Sequence, residues 1–466
     1  MFHDKALLQE PLFVTTQVAR QFTSPFYDAL DKELTNMGFA HKVRELCAPA
    51  YSNKKCGRPG LDPVIFIKMY IVGYFENITS QRALASKCED SLKIRNFLGL
   101  TLETPAPNHS SITRFRNRIG QDIFTQLQEF ILHCFFDKGV LSAKHLGIDS
   151  SVMKANASMS KLENRLSRES YNDYRDQLAK ENGITPDNKQ AIKNFDRKRS
   201  KKISNKDWVN PHNPDATIGI TKDGGWDMLH KPEHLIDLDN GIIVEAEVRK
   251  GDEGDSVNLL DRIEKAWKNL GIVCKDKDST EVVKSITADG GYFSAEQVVG
   301  LRSAGCEVNM RDPHGEKRSY NQYTKEDAQH LKNELEEIRQ TTNSEWGIKY
   351  RKKRSELVER SFAHILDNGG MRRSHLKSLN KINKTYSVAV IAYNLSILMR
   401  RKYKLGTKKQ WEAARKGQIA YLLDLLKSCV IHLMELEPEN TLLWVCYMES
   451  LIQEEEKLNL SNLVNR

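Results

Sequence analysis

None of the eight cysteines (Cys47, Cys56, Cys88, Cys134, Cys274, Cys306, Cys429, Cys446) stands in a CxxC pair. That excludes a recognisable zinc site and a disulfide framework, and it suits a reducing cytosol. The N-terminal MFHDKALLQEPLF lacks the charged-then-apolar order of a secretion signal. The most apolar run, Thr385 to Met399, is too short to span a bilayer and contains Asn394, so it reads as a buried helix. A Ser-His-Asp set and a Walker loop are also missing, which leaves out the chemistry those motifs carry. The expectation is a cytoplasmic chain with no membrane partner.

Neither charge sign is scarce. Lys and Arg number 71 against 62 Asp and Glu, a net charge of +9 with pI near 8.9. This balance leans only mildly toward a polyanionic partner. At 466 residues, 39% hydrophobic and 29% charged, the chain has material for two to four domains with sizeable cores.

From Asp62 to Asn77 the apolar residues cover most faces, which predicts a buried helix with Pro63 near its start. Thr79 or Ser80 caps a short helix through Cys88, and Ile94 to Leu98 continues helical. The prolines of TPAPNHS then break the pattern. Ser110 or Ser111 is the expected cap of SITRFRNRI, whose Arg114, Arg116 and Arg118 alternate with Ile112, Phe115 and Ile119. Short helix, break and arginine-rich helix outline a helix-turn-helix-like DNA reader, although basic amphipathic helices are more often plain solvated faces. Gln121 to Lys138 is a further helix, closed by Gly139.

KHLGIDSSVMKA reads as a short apolar strand that delivers Asp149 into a polar exit. An acid there is commonly a turn or cap residue. Residues 156–214 look like a polar insertion, with a basic cluster at Arg197, Lys198, Arg199, Lys201 and Lys202, and are expected to be solvated or disordered. Across the Asp239-Asn240-Gly241 turn, GGWDMLHKPEHLIDL pairs with GIIVEAEVRK as a hairpin. Gly254 and Asp255 open a helix. The run from Val282 to Ala288 is a strand that delivers Asp289, and SAEQVVGLRSAG is a helix between Ser294 and Gly305. CEVNM is a strand, and Lys325 to Arg339 is helical.

In VERSFAHILDNGGMRRSHLKSLNK, Val358, Phe362, Ile365 and Leu366 share one apolar face, and Glu359 stands at its edge. Gly369 and Gly370 stop the helix, and Arg372, Arg373 and Lys377 follow. Alone, a glutamate on a helix flank is usually solvated. The order from Asp149 onward, however, is strand, insertion, hairpin, helix, strand, helix, strand, helix. That is the order of an RNase-H-like α/β domain, in which acids after the first and fourth strands and on a late helix converge. Asp149, Asp289 and Glu359 hold those places. Three carboxylates together call for Mg²⁺ or Mn²⁺, and two such ions can activate a water or 3′-hydroxyl against a phosphodiester.

From Gly57 to Leu398 the chain resembles bacterial insertion-sequence transposases of the DDE class. GRPGLDPVIFIKMYIVGYFENITSQRALASKCEDSLKIRNFLGL resembles their N-terminal helical part. IDSSVMKANAS, ADGGYFS and RKKRSELVERSFAHI resemble the three acidic motifs, followed by GMRRSHLKSLNKI and AYNL. NPHNPDATIGITKDG and HKPEHLIDLDNG resemble the central region. The resemblance implies that Asp149, Asp289 and Glu359 bind two metal ions. It also implies that Arg354, Arg372, Arg373 and Lys377 grip DNA, together with Arg114 and Arg116 of the helical part. The lysine that related groups place one to two turns after the glutamate is absent, with Leu366 and Asp367 in that region.

The implied fold is an α/β, RNase-H-like mixed sheet with an insertion after its first strand, flanked by helices. Expected domains are 1–140 (helical, for DNA binding or multimerisation), 141–400 (catalytic, with the basic insertion 156–214) and 401–466 (helical). The implied activity is binding of terminal inverted repeats, metal-dependent cleavage at the element ends and joining of the 3′-hydroxyl to target DNA. A homodimer on paired ends would act in the nucleoid. A transposase-derived protein that binds DNA without cutting it is the alternative.

Overall fold

The structure, a computed structural model, describes residues 24–51, 60–185, 187–198, 204–257, 259–273, 282–315, 318–321 and 323–436. The chain opens with α1 (Pro25–Asn36), α2 (Phe39–Cys47) and α3 (Pro63–Phe75). Asp62 caps α3 by accepting from the Val64 amide, and Pro63 occupies its first turn, where no backbone donor is required. α4 (Gln81–Asp90) is capped by Ser80, and α5 (Leu92–Leu98) by Ser91. α6 (His109–Arg118) starts one or two residues before the serines expected to cap it. Asn108, in extended conformation, accepts from the Ser111 amide and from both the Ser110 and Ser111 hydroxyls. α7 (Gln121–Asp137) ends before Gly139, whose φ is +64°.

The sheet follows. β1 (His145–Ser150) and β2 (Met153–Lys154) precede a small subdomain containing β3 (Glu163–Asn164), α8 (Tyr171–Glu181), α9 (Lys189–Lys198) and β4 (Trp208–Val209). The described part of the insertion is therefore folded, with a small core of its own. Leu162, Tyr171 and Trp208 bury against Ala216, Ile218 and Met228, apolar residues too widely spaced to show as a periodic pattern. Arg199, Lys201 and Lys202 of its basic cluster lie outside the described residues.

β5 (Thr217–Ile220) pairs with the long β6 (Trp226–Asp237), which turns through Gly241 (φ +76°) into β7 (Ile243–Lys250). α10 (Leu259–Val273) leads to β8 (Ser285–Thr287), and α11 (Ala295–Ser303) to β9 (Glu307–Asn309). β7, β6 and β1 are antiparallel neighbours, whereas β8 runs parallel to β1 and β9 parallel to β8. The order β7-β6-β1-β8-β9, with that pattern of directions, is the RNase-H-like sheet.

α12 (Lys325–Asn343) and α13 (Glu345–Phe362) pack beneath the sheet. Val358, Phe362, Ile365 and Leu366 are all buried there, as their spacing predicts. The last turn of α13 widens into a π-helical segment, Ala363–Asn368, which Gly369 and Gly370 (φ +69°) close. α14 (Leu379–Tyr403) contains the predicted buried run. It packs against α3, α7 and β7 and belongs to both large hydrophobic cores. Asn383 and Asn394 of α14 each exchange two hydrogen bonds with the backbone of β7, at Val248 and Ile243, and so satisfy the strand edge that no strand among the described residues pairs. α15 (Lys408–Leu436) ends the described chain. No helix among the described residues is long and apolar enough to cross a membrane.

Candidate active site

Asp149 and Asp289 come together because β1 and β8 are adjacent and parallel. Gly147 stands level with Thr287, and each aspartate lies two residues further along. Both therefore leave the carboxyl ends of their strands at one level of the sheet. Asp149 Oδ1 accepts from the Ser150 amide at 2.8 Å, and Asp289 Oδ1 from the Gly290 amide at 2.9 Å. These short backbone contacts aim each carboxylate out of its strand end.

The face is decided by Gly147. A Cβ there would lie 2.9 Å from Arg354 Cγ, so this side of β1 looks onto α13. Asp149 shares that side, and Arg354 Nη1 meets its Oδ2 at 2.5 Å. Burial pushes the Asp149 carboxyl above its usual range. Arg354 opposes that shift, and the negative charges of Asp289 and Asp255 add to it.

Glu359 lies five residues past Arg354 on the same helix, about one and a half turns on. Its side chain is exposed and accepts from the Ser355 hydroxyl at 3.0 Å. Among the described residues, no three His, Cys, Asp or Glu side chains are gathered closely enough to hold a metal ion as they stand. The preassembled part is the aspartate pair.

The opposite face of the strand ends is braced by groups the sequence reading passed over. Ser150 and Glu233 stand across from each other on β1 and β6. The Ser150 hydroxyl donates to Asp255, which also pairs with Lys231 at 2.6 Å. Asp255 sits in a turn, not in the helix it was expected to start, because α10 begins only at Leu259. Glu233, 1% exposed, pairs with Arg249 and Arg262 and accepts from the Tyr292 hydroxyl at 2.6 Å. Tyr292 closes the turn that begins at Asp289. A tyrosine three residues after a strand-end acid was a usable signal in ADGGYFS, but Glu233 had none.

The expected DNA-contacting residues separate. Arg114, Arg373 and Lys377 are exposed. Arg372 pairs with Asp367 and donates to the Val152 carbonyl, which fixes the loop beside β2. Arg116 departs from its expected place on a DNA-facing surface. It is only 6% exposed, because Arg116 follows Phe115 onto the packed side of α6.

Two family models match the sequence, a transposase domain (DUF772) over residues 21–118 and a transposase DDE domain over residues 207–395. Together they take in more than half of the chain. The chain belongs to the DDE transposase family. The second match contains Asp289 and Glu359, and Asp149 lies upstream of it. No curated protein matches the sequence. Among solved structures, the Mos1 transposase paired-end complex with left transposon end aligns at 10% identity and a TM-score of 0.19, over 68% of this chain and 82% of that one. The Mos1 mariner paired end complex with Mn aligns at 11% identity and the same TM-score, over 72% and 87%.

Proposed function

We propose that the protein is an active DNA transposase that recognises terminal inverted repeats, cleaves phosphodiester bonds at the element ends and joins the 3′-hydroxyl to target DNA. The observation that carries this reading is the equal register of Asp149 and Asp289 at the ends of two adjacent parallel strands. Carboxylate oxygens are the ligands Mg²⁺ and Mn²⁺ prefer. Burial is the main cause that raises Asp149, and the neighbouring charges of Asp289 and Asp255, which add to it, mark a place where a cation is stabilised. The donor set therefore fits the metals this chemistry uses. Asp149 and Asp289 would hold them, with Glu359 as the expected third acid. Held there, a pair of such ions would supply an activated water or 3′-hydroxyl and neutralise charge on the phosphodiester.

The chain's own residues do the rest. Arg354 holds Asp149 in place from the α13 side, and the Ser150–Asp255–Lys231 set holds the strand end from the other. Arg114, Arg373 and Lys377 present exposed positive charge to a duplex backbone, and Arg354 and Arg372 border the same loop region. Two copies, one on each end, would act together in the nucleoid.

The test is a cleavage and strand-transfer assay with Mg²⁺ or Mn²⁺, on a fragment carrying the ends that flank the coding region. Metal-dependent cutting at the ends, lost in Asp289→Asn, is the expected result. Tight end binding without cutting in the wild type would replace this reading with a DNA-binding protein that has given up catalysis.

A further inference from the structure

A cavity of about 100 Å³ lies between α3, α4 and α6 on one side and the Gly369–Leu376 loop and α14 on the other. That is several times the roughly 10–15 Å³ that a single water needs. Its walls are largely apolar, with Tyr74, Leu84, Met153 and Ile382 among them, but three donors gather at one end. Arg116 Nε, the Tyr70 hydroxyl and Gln81 Nε2 line it, buried and turned toward one another around the Tyr70 oxygen, yet none of the three makes a hydrogen bond of good geometry. Arg116 and Tyr70 are 6% and 9% exposed. No Asp or Glu lines the cavity, and among the described residues no carboxylate pairs with Arg116.

A second cation adds to the imbalance. Lys384, also 6% exposed, donates to the Arg116 carbonyl, and burial, with Arg116 adding to it, pulls its ammonium below the usual lysine range against the opposing charge of Asp122. A buried charge without a counter-ion, beside unsatisfied donors, is costly unless something fills the place. Arg373, Ser374 and His375 also line the cavity, and Arg373 and His375 are exposed and so connect it to solvent.

We propose that this cavity is an anion site that takes a phosphate group, with Arg116, Tyr70 and Gln81 as its donors. A planar guanidinium beside two neutral donors suits a tetrahedral oxyanion, and the apolar remainder excludes water from it. The phosphate could be free or could terminate a nucleic-acid strand. The inference does not rest on the metal chemistry proposed above, so it should survive in Asp289→Asn.

Thermal unfolding and calorimetric titration of the full chain with inorganic phosphate test it. Saturable binding should raise Tm by about 2–4 °C at high occupancy. Arg116→Met should remove that response while leaving Tm in phosphate-free buffer equal or higher, because an uncompensated buried charge is gone. Tyr70→Phe, which keeps the ring, should weaken phosphate binding by about tenfold. An absent phosphate response in the wild type, or one that Arg116→Met preserves, overturns the proposal. Competition identifies the source. Displacement by a 5′-phosphorylated oligonucleotide, but not by its 5′-hydroxyl counterpart, assigns a strand end, and failure of both to displace assigns free phosphate.

Discussion

Arg354 Nη1 lies 2.5 Å from Asp149 Oδ2, and its side chain passes over the bare backbone of Gly147 to get there. The pairing joins a strand end to a helix 205 residues later in the chain. It depends on a missing methyl group as much as on opposite charges.

Gly147→Ala should therefore damage the site from within the sheet. The new Cβ would sit 2.6 Å from Leu238 Cδ2 and 2.9 Å from Arg354 Cγ. Overpacking of this kind costs about 1–3 kcal/mol. Denaturant unfolding should show that loss, and cleavage should fall further than the stability change explains. Unchanged stability would mean that β1 tolerates side-chain volume where it meets α13.

Asp149→Asn, Asp289→Asn and Glu359→Gln should each reduce end cleavage about a thousandfold or more, given that bound metals supply several kcal/mol to the transition state. Binding to the same DNA, followed by mobility shift, should stay close to wild type. Glu359 gives the most informative result, because its side chain is exposed and bonded only locally to Ser355. Wild-type cutting by Glu359→Gln would remove it from the site and turn attention to Asp255.

The protein should lose stability in mild acid for a definable reason. His234 is fully buried between the Ser361 and Tyr386 hydroxyls, each at 2.7 Å, and burial lowers its pKa from 6.5 to about 3. Burial lowers that of His230 to about 4. Both stay neutral in the fold where the unfolded chain would take up protons. The stability this contributes is fully present above about pH 6.5 and is lost as pH falls from there toward 3–4. The slope is up to about 1.4 kcal/mol per pH unit for each histidine. Chemical denaturation at a series of pH values should show it, with a shallower slope in His234→Gln. An identical slope in that variant would assign the acid sensitivity elsewhere.

Asn394→Leu should cost about 1–3 kcal/mol despite adding apolar surface to a buried helix, since it leaves the Ile243 N–H and carbonyl without partners. Amide hydrogen exchange should speed up at Ile243 first. Protection there equal to wild type would show that the edge of β7 has another source of satisfaction.

DNA affinity should fall linearly with salt on a logarithmic plot. Arg373→Ala and Lys377→Ala, both at exposed positions, should each flatten that slope by about one. A slope that neither variant changes would place the duplex elsewhere on the surface.

The acids and their strands were legible because local patterns carried them. Short apolar runs ending in Asp149 and Asp289 read directly as strands, and the helical face around Val358 predicted the burial of Phe362 and Leu366. What escaped was long-range. The insertion's core joins Leu162 to Trp208 and Met228, separations over which no periodicity survives. Arg116 looked like a surface base because it stands between Arg114 and Arg118, yet tertiary packing of α6 took it inside. Asp255 passed for a helix start because the residues after it are helical in pattern. Only the fold shows it held back beside Ser150 and Lys231.

α14 contributes side chains to both large cores, to the helices before β1 as well as to the sheet. A fragment beginning near residue 141 would thus expose the flank of α14 that α3 and α7 cover, including Val388, Ile391 and Leu395. Such a fragment should express as insoluble material, and supplying the missing helices as a separate polypeptide should recover it. Anyone dividing this chain for biochemistry would do better to cut within the insertion, where a nick leaves both cores whole.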